Sequence, residues 1–272
     1  MKLLFISSGE ADYQNDVILH GLRQILGSDL IDCPQKTCMY KNLLDAVPVY
    51  GNGFTIFKTL EDITVDRDDI KRKIQDKFFD AVIYGSARRN LSFLYDVIPL
   101  YSKNRIIFVD GEDDTSINYD LAKIGTYYKR ELDIYSDIVR PISFGFPEEK
   151  IPKNFLSKSK NISDIIPNSN KGYSFTIEND YYSEYQTSRF AWTWKKAGWD
   201  CMRHYEILFN KCLPLFFDLE KIPNKTMTLF PKEQIANYQN KFFNKTNGFY
   251  QNSMTIIDNI DSNQYHDTVN SI

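Results

Sequence analysis

Cysteine and histidine are scarce in this sequence, and neither is arranged as in a metal site. The 272-residue chain has four cysteines and three histidines, with no C-x-x-C pair and no H-E-x-x-H motif. This disfavours a disulfide framework, a structural zinc site and a zinc enzyme. We therefore predict no metal ligand, and a chain whose thiols stay reduced in the cytoplasm.

Long apolar segments are also missing. Mean hydropathy is −0.43, and no apolar run approaches the ~18 residues that a membrane-spanning helix needs. The opening residues become polar too soon for a secretory signal peptide. The sequence thus predicts a cytoplasmic protein, and it leaves open a peripheral contact with the inner face of the membrane.

Neither sign of charge dominates the chain. The net charge is −3, from 33 Lys and Arg against 36 Asp and Glu. Residues 1–150 carry 19 basic and 24 acidic side chains, and the remainder carries 14 and 12. This balance disfavours nucleic acid as a partner, although the mildly basic second part suits an anionic ligand.

Two glycine motifs that mark common enzyme folds are absent. The first apolar run, Lys2–Ser7, is followed by Ser8 and Gly9 without the G-x-G-x-x-G pattern of dinucleotide-binding proteins. The chain also has no G-x-S-x-G, the motif that forms the nucleophile elbow of α/β-hydrolases.

Strand-like and helix-like segments nevertheless alternate along the first part of the chain. After the strand at Lys2–Ser7, a helical pattern runs from Val17 to Leu26 and stops at Gly27. Helices are also expected near residues 66–77 and 91–98. Further strands are predicted at Leu30–Cys33, Phe79–Tyr84 and Arg105–Val109. This alternation predicts an α/β fold with a parallel sheet and ligands at the carboxyl ends of its strands.

A stretch rich in proline, serine and asparagine divides the chain. It extends to about residue 171 and is typical of a linker or an exposed crossing. We place the boundary near 150–170 and predict two Rossmann-like lobes, 1–150 and 151–272, around a cleft. In the second lobe, strands are predicted at Tyr173–Ile177, Phe190–Trp194 and Leu213–Phe217, and a helix at Cys201–Phe209. The last ~25 residues are either a frayed tail or a docking helix.

The densest group of chemically active residues lies between Lys195 and Glu206. If Asp200 caps a helix, Arg203 and Glu206 share one helical face. Two lysines before a helix N-terminus favour a diphosphate, and the Glu206 carboxylate could accept the two hydroxyls of a ribose. An equally simple interpretation is a surface pair of Arg203 with Glu206 beside a solvated turn.

The same stretch resembles the carboxy-terminal, nucleotide-sugar domain of a group of bacterial and viral GT-B-type glycosyltransferases, akin to the exostosin-like and CgeB-like enzymes. Arg203, Glu206 and the turn at Cys212–Pro214 match the pattern of that group. Asn210 and Lys211 stand where the group usually has a glycine. Gly198 stands where many retaining enzymes have a first glutamate, which favours inverting chemistry.

The first part of the chain resembles the same group more loosely. The segment from Gly9 to Asp16, before a helix that contains His20, is similar to the opening of these enzymes. Residues 127–132, followed by Arg140 and Pro141, are similar to their interdomain portion. The likeness covers about two-thirds of the chain and is most specific at 194–214. The chain is short for a GT-B enzyme, which implies compact or reduced lobes.

The resemblance implies transfer of a sugar from a nucleoside diphosphate donor of UDP or GDP type, without an obligatory metal or cofactor. The acceptor would be a glycan, a lipid-linked saccharide or a similar molecule, bound by the first lobe. Arg203 and Glu206 would act in catalysis, and Asp12 or Asp16 would be the general base, with Glu112 as a further candidate. Asp12 is equally suited to cap a helix. The donor would contact Gly9, Lys195, Lys196, Gly198, Trp199, Asp200, Arg203, His204 and Glu206.

Two alternatives remain open at the level of sequence. Asp110 and Glu112 follow a predicted strand and could hold Mn²⁺ or Mg²⁺ in a metal-dependent, GT-A-type glycosyltransferase. The second alternative is a non-catalytic protein that binds a nucleotide or a glycan on the same lobes.

Overall fold

The computed structural model describes residues 1–42, 52–168, 174–244, 255–256 and 261–272. The chain divides into two compact units. Unit 1 consists of Met1–Lys150, Ala197–Asp200 and Pro223–Thr228, and unit 2 of Ile151–Lys196, Cys201–Ile222 and Leu229–Ile272. Two short segments from the second part of the chain thus group with unit 1, which a single division at residue 150 does not foresee.

Unit 1 is built on a six-stranded sheet in which all paired strands are parallel. Its strands are β1 (Leu3–Ile6), β2 (Leu30–Cys33), β3 (Ala81–Tyr84), β4 (Ile106–Asp110), β5 (Thr126–Lys129) and β6 (Val139–Pro141). Their order across the sheet is β2-β1-β3-β4-β5-β6. The winding direction reverses between β1 and β3, and α/β proteins commonly bind ligands at such a switch point.

Four α-helices of unit 1 lie in the described part. They are α1 (Tyr13–Leu26), α2 (Ile70–Gln75), α3 (Leu94–Val97) and α4 (Tyr119–Ile124). Helix α1 starts after Asp12 because the Asp12 carboxylate accepts hydrogen bonds from the backbone amides of Gln14 and Asn15. It ends at Gly27, whose φ of +54° is accessible to glycine at little cost.

The core of unit 1 follows from the apolar strands. Leu4, Ile6, Val82 and Phe108 are fully buried members of one hydrophobic cluster. Strands that are apolar at nearly every position are typical of a parallel sheet covered on both faces.

Unit 2 contains a three-stranded parallel sheet with β8 in its centre. Its strands are β7 (Lys160–Ile162), β8 (Ser188–Thr193) and β9 (Leu213–Phe216). Its helices are α5 (Glu178–Thr187), α6 (Met202–Phe209), α7 (Lys232–Phe242) and α8 (Ser262–Ser271). Two short antiparallel strands, β10 (Phe243–Asn244) and β11 (Thr255–Ile256), complete the described elements.

The connection between α6 and β9 has a backbone that suits glycine. Lys211 has a φ of +52°, so the residue type that the resemblance expects in this turn is the one that the left-handed conformation favours. Pro214 follows in β9, an outer strand of the sheet. Proline is tolerated there because its missing N–H leaves no inner ladder bond unmade.

The predicted α/β class is confirmed. Strands β1 to β4, β8 and β9 lie within about two residues of their predicted positions, and α1 and α6 lie where the apolar periodicity indicates. The docking-helix alternative for the end of the chain is also confirmed, because α8 buries Tyr265, whose hydroxyl donates to the carbonyl oxygens of Arg189 and Lys211 at 2.8 and 2.9 Å.

Some local predictions are wrong. The helices expected at 66–77 and 91–98 shrink to α2 and α3. In the strand predicted at 173–177, residue 173 lies outside the described residues, and residues 174–177 form no strand but lead into α5, with the Phe175 ring packed on Tyr181. The predicted linker contains β7, a polar outer strand without an apolar signal.

None of the described helices is both long enough and apolar enough to cross a membrane.

Candidate functional site

The carboxyl ends of β1 and β3 in unit 1 carry a buried polar group centred on Asp12. One oxygen of the Asp12 carboxylate accepts from the amides of Gln14 and Asn15 at 3.1 and 3.3 Å. The other accepts from the Ser86 hydroxyl at 2.6 Å. The prediction that Asp12 caps a helix is therefore confirmed, and both of its oxygens are already engaged. Gly9, in the loop before this cap, is exposed.

Asp16, the other predicted general base, is fully buried in unit 1. Its carboxylate forms an ion pair with Lys36, 2.6 Å from Oδ1 to Nζ, and accepts from the backbone amide of Asp12 at 2.9 Å. Burial raises the pKa of Asp16 to about 6, against the opposing charge of Lys36. A base must touch the acceptor, and the Asp16 carboxylate has no exposed surface from which to do so.

Asp110 and Glu112, the metal ligands of the alternative reading, are both paired with cations. Asp110 is buried and binds Arg88 at 2.8 Å, Lys129 at 3.0 Å and the hydroxyl of Tyr127 at 2.6 Å. Glu112 binds Arg89 at 2.6 Å. Carboxylates neutralised in this way have little charge to offer a divalent ion, and the part of the chain with assigned structure holds no acidic, histidine or cysteine cluster suited to a metal.

The segment 197–200 is held within unit 1 by Glu131. The buried Glu131 carboxylate accepts from the amides of Trp199 and Asp200, each at 2.9 Å. A Cβ on Gly198 would lie 2.6 Å from Oε1 of Glu131 and 2.8 Å from Oδ1 of Asp113. A side chain at position 198 would therefore force the Glu131 or Asp113 carboxylate to move. Gly198, Trp199 and Asp200 thus have a structural role that the sequence did not indicate.

The prediction that Asp200 caps the next helix is wrong. Cys201 occupies the N-cap position of α6, and no side chain caps it. The Asp200 carboxylate instead accepts from the backbone amide of Phe144 at 3.1 Å. It is thus committed to unit 1, whereas α6 belongs to unit 2.

Helix α6 brings Arg203 and Glu206 together in unit 2, as their spacing predicts. Glu206 is buried, and its Oε2 accepts from the Tyr181 hydroxyl at 2.6 Å. Nη1 of Arg203 is also buried but has no hydrogen-bond partner in the described chain. Burial lowers the pKa of Arg203, but the neighbouring Cys201, Tyr185, Tyr181 and Glu206 outweigh this effect and raise it. The guanidinium therefore belongs to a partly buried cation, and its Nη1 has unused hydrogen-bonding capacity within the described chain.

Polar residues also gather where β8 and β9 end. Lys195 and Lys196 follow β8 and are exposed. Asp218 follows β9, and its Oδ1 is buried without a hydrogen-bond partner among the residues described. Burial raises the pKa of Asp218, while Lys221 and Lys195 act in the opposite direction. Because α6 begins after β8, its N-terminus belongs to this same edge, where α/β sheets bind ligands.

His204, a predicted donor contact, is packed inside unit 2. Its ring is fully buried in unit 2 and lies 4.8 Å from the ring of Phe216, between centroids. Nδ1 lies 2.8 Å from the Thr193 hydroxyl, and Nε2 lies 3.3 Å from the sulfur of Cys201. Both ring nitrogens thus have partners within the unit.

The structure thus divides the predicted donor residues between the units. Unit 2 holds Lys195, Lys196, Arg203, His204 and Glu206, and unit 1 holds Gly9, Gly198, Trp199 and Asp200. Tyr181, Asp218 and Glu131 also take part, although the sequence did not indicate these contacts. The i, i+4 spacing of Tyr181 and Tyr185 could have indicated the first, because it puts both hydroxyls on one face of α5.

Comparison of the chain with protein-family models, with curated proteins and with solved structures finds no match.

Proposed function

We propose that the protein is a glycosyltransferase that moves a sugar from a nucleoside diphosphate donor, bound by unit 2, to a saccharide or lipid-linked acceptor bound by unit 1. The proposed chemistry is inverting and independent of metal, in a reduced GT-B-like arrangement. The observation that carries the proposal is the Arg203 guanidinium, a partly buried cation whose buried Nη1 lacks a hydrogen-bond partner in the described chain.

A buried N–H donor that makes no hydrogen bond costs free energy unless a ligand supplies an acceptor. A diphosphate is a suitable partner for Arg203 because guanidinium groups bind phosphate oxygens through paired, charge-assisted hydrogen bonds. The N-terminus of α6 and the exposed Lys195 and Lys196 add favourable electrostatics at the same edge of the sheet. Negative charge builds up on the leaving diphosphate during glycosyl transfer, so these groups would stabilise the transition state.

Glu206 and Asp218 supply the acceptors that a nucleoside needs. Oε2 of Glu206 accepts from the Tyr181 hydroxyl, and because a carboxylate can accept several hydrogen bonds, a ribose hydroxyl could bind it as well. Oδ1 of Asp218 lacks a hydrogen-bond partner in the described chain, and a ligand hydroxyl or amino group would remove the cost of burying it.

A non-catalytic nucleotide-binding protein is the second candidate, and the acidic residues of unit 1 favour it. Both oxygens of Asp12 are engaged, and Asp16 is buried against Lys36. Inverting transfer needs a base that reaches the acceptor hydroxyl. If neither aspartate can be exposed by acceptor binding, the nucleotide site would serve recognition alone.

The test is a thermal-shift screen of UDP, GDP, CDP, ADP and dTDP in EDTA and then in Mn²⁺. We expect one nucleotide to raise the melting temperature in EDTA, since a ligand that binds only the folded state stabilises it. Arg203→Met should abolish that shift. Arg189→Met is the matched control, because it removes the same charge from β8 of unit 2. A shift seen only with Mn²⁺, or one that survives Arg203→Met, contradicts the proposed site.

Turnover then separates the two candidates. An enzyme given the matching nucleotide sugar and a saccharide acceptor should release the nucleoside diphosphate, and Glu206→Gln should reduce this release. Binding without release, over a broad set of acceptors, would favour the recognition protein.

A further inference from the structure

Cys201, His204 and Thr193 form a hydrogen-bonded series in unit 2. The Cys201 sulfur lies 3.3 Å from Nε2 of His204, and Nδ1 of the same ring lies 2.8 Å from the Thr193 hydroxyl oxygen. A thiol beside an imidazole whose far nitrogen is held by a third group is the arrangement that activates cysteine nucleophiles. The proposed glycosyl transfer makes no use of it.

Two further features favour a negative charge on this sulfur. Cys201 stands at the N-cap of α6, an eight-residue helix whose N-terminal dipole stabilises anions. Arg203, with its unpartnered Nη1, is also close, since a charge on Cys201 is one of the influences that raise the pKa of Arg203. Cationic neighbours of this kind lower the pKa of cysteine thiols in proteins.

The other three cysteines are either more buried than Cys201 or lie in a setting that raises the pKa of the thiol. Cys38 and Cys212 are buried, at 1% and 0% exposure. Cys33 is half-buried like Cys201, but burial and the negative charge of Asp32 raise the pKa of its thiol. The chain thus contains one cysteine in a setting that favours the thiolate and a similarly accessible one in a setting that opposes it.

We propose that Cys201 is a nucleophilic modification site for small, soft electrophiles, activated by His204 and by the Thr193 hydroxyl that orients the ring. The proton leaves Sγ for Nε2 of His204, while the Nδ1–H of the ring donates to the Thr193 oxygen. Phe216 and Phe230, with ring centroids 4.8 and 5.8 Å from the imidazole, offset part of the cost of its charge. The thiolate then attacks carbon, the S–C bond forms, and the leaving group departs with its electron pair.

The test uses iodoacetamide as the electrophile, so that iodide is the leaving group. The full-length protein is labelled briefly at pH 7, and each cysteine is quantified by peptide mass spectrometry. We expect Cys201 to react about tenfold or more faster than Cys33, as activated thiols do. Equal rates at Cys201 and Cys33 in the unmodified chain would overturn the proposal without any variant.

Two variants of Thr193 test the role of the ring. Thr193→Val keeps the shape but removes the hydroxyl, and it should slow Cys201 by roughly fivefold while Cys33 is unchanged. Thr193→Ser keeps the hydroxyl and should retain the rate. Cys38 and Cys212 report folding in the same experiment, because they are labelled only if the chain opens. An unchanged Cys201 rate in folded Thr193→Val would overturn the proposed activation by His204 held in place by the Thr193 hydroxyl.

Discussion

Arg130 of unit 1 and Arg203 of unit 2 differ in what surrounds them. Arg130 of unit 1 donates to the carbonyl oxygens of Gly111 and Asp200 and to the carboxylates of Asp113 and Glu131. Its guanidinium also lies 5.1 Å from the centre of the Phe144 ring. Arg203 of unit 2 has no hydrogen bond from Nη1 in the described chain.

The comparison separates a structural cation from one suited to a ligand. The hydrogen bonds of Arg130 are made within its own unit, so folding alone compensates the burial of its charge. Arg203 is raised in pKa by neighbouring thiol, phenol and carboxyl groups, yet its Nη1 remains without a described partner. Four substitutions or titrations test this difference, in decreasing order of expected effect.

Arg130→Met should have the largest effect on stability. It leaves the buried Glu131 carboxylate without its cation and removes the donor to the carbonyl oxygens of Gly111 and Asp200. Removing one partner of a buried charge network costs about 3–5 kcal/mol, measurable as a loss of unfolding free energy in urea. If Arg130→Met lowers the unfolding free energy by less than about 1 kcal/mol, Arg130 contributes no more than a surface ion pair does. The proposed difference between Arg130 and Arg203 would then be wrong.

The pKa of Asp16 measures how far the surroundings in unit 1 offset the cost of burying its negative charge. Its pKa of about 6 in the folded chain exceeds the value of 3.8 for an unperturbed aspartate. Asp16 therefore contributes stability that is full below pH 3.8 and lost as the pH rises through about 6. The difference between the two pKa values corresponds to about 3 kcal/mol of unfolding free energy.

Lys36→Met provides the matched comparison. Without the Lys36 charge, burial acts on Asp16 without its main opposing influence, and the pKa of Asp16 should rise above 6. The carboxyl carbon resonance of Asp16, followed by NMR against pH, reports both values directly. A lower pKa in Lys36→Met would show that Lys36 does not stabilise the carboxylate.

Gly198→Ala should have a moderate effect, confined to unit 1. The new methyl group would meet the Glu131 and Asp113 carboxylates at 2.6 and 2.8 Å. Relieving that overlap should cost about 1–3 kcal/mol, seen as a lower melting temperature. Gly145→Ala is the control, because a Cβ there meets no atom within 4 Å. Equal effects of the two substitutions would contradict the close approach.

Arg203→Met should change stability least, by less than about 1 kcal/mol in either direction, because it removes a partly buried charge whose Nη1 has no hydrogen-bond partner in the described chain. Its effect should appear instead in nucleotide binding. Urea unfolding without ligand measures the change in stability, and the thermal-shift screen measures the change in nucleotide binding. A loss of stability as large as that of Arg130→Met would mean that Arg203 is structural as well, and the comparison would fail.

Much of the fold could be predicted because its signals are local. Apolar spacing, a capping Asp12 and a final Gly27 predict helix α1. Each of these signals depends only on residues that are close together in the chain. Strands β5, β6 and β7 were not predicted because they are short and partly polar. Lys129, for example, is a buried lysine on β5, which no apolar pattern can indicate; its partner Asp110 lies 19 positions away.

The site was predicted in part for the same reason. Arg203 and Glu206 are three residues apart, so a helix alone brings them together. Asp200 was predicted to cap helix α6, but its carboxylate accepts a hydrogen bond from the amide of Phe144, 56 positions away. No property of the local sequence reveals such a long-range competitor.

The sequence by itself determined the α/β class, most of the strands and the face of α6, because periodicity and capping depend on residues within a few positions of one another. The tertiary structure alone decided which charges are satisfied. It buried Asp16 against Lys36, surrounded Arg130 with acceptors and left Nη1 of Arg203 without a partner in the described chain. Electrostatic compensation depends on distance in space and on exclusion of water, and neither can be read from position along the chain.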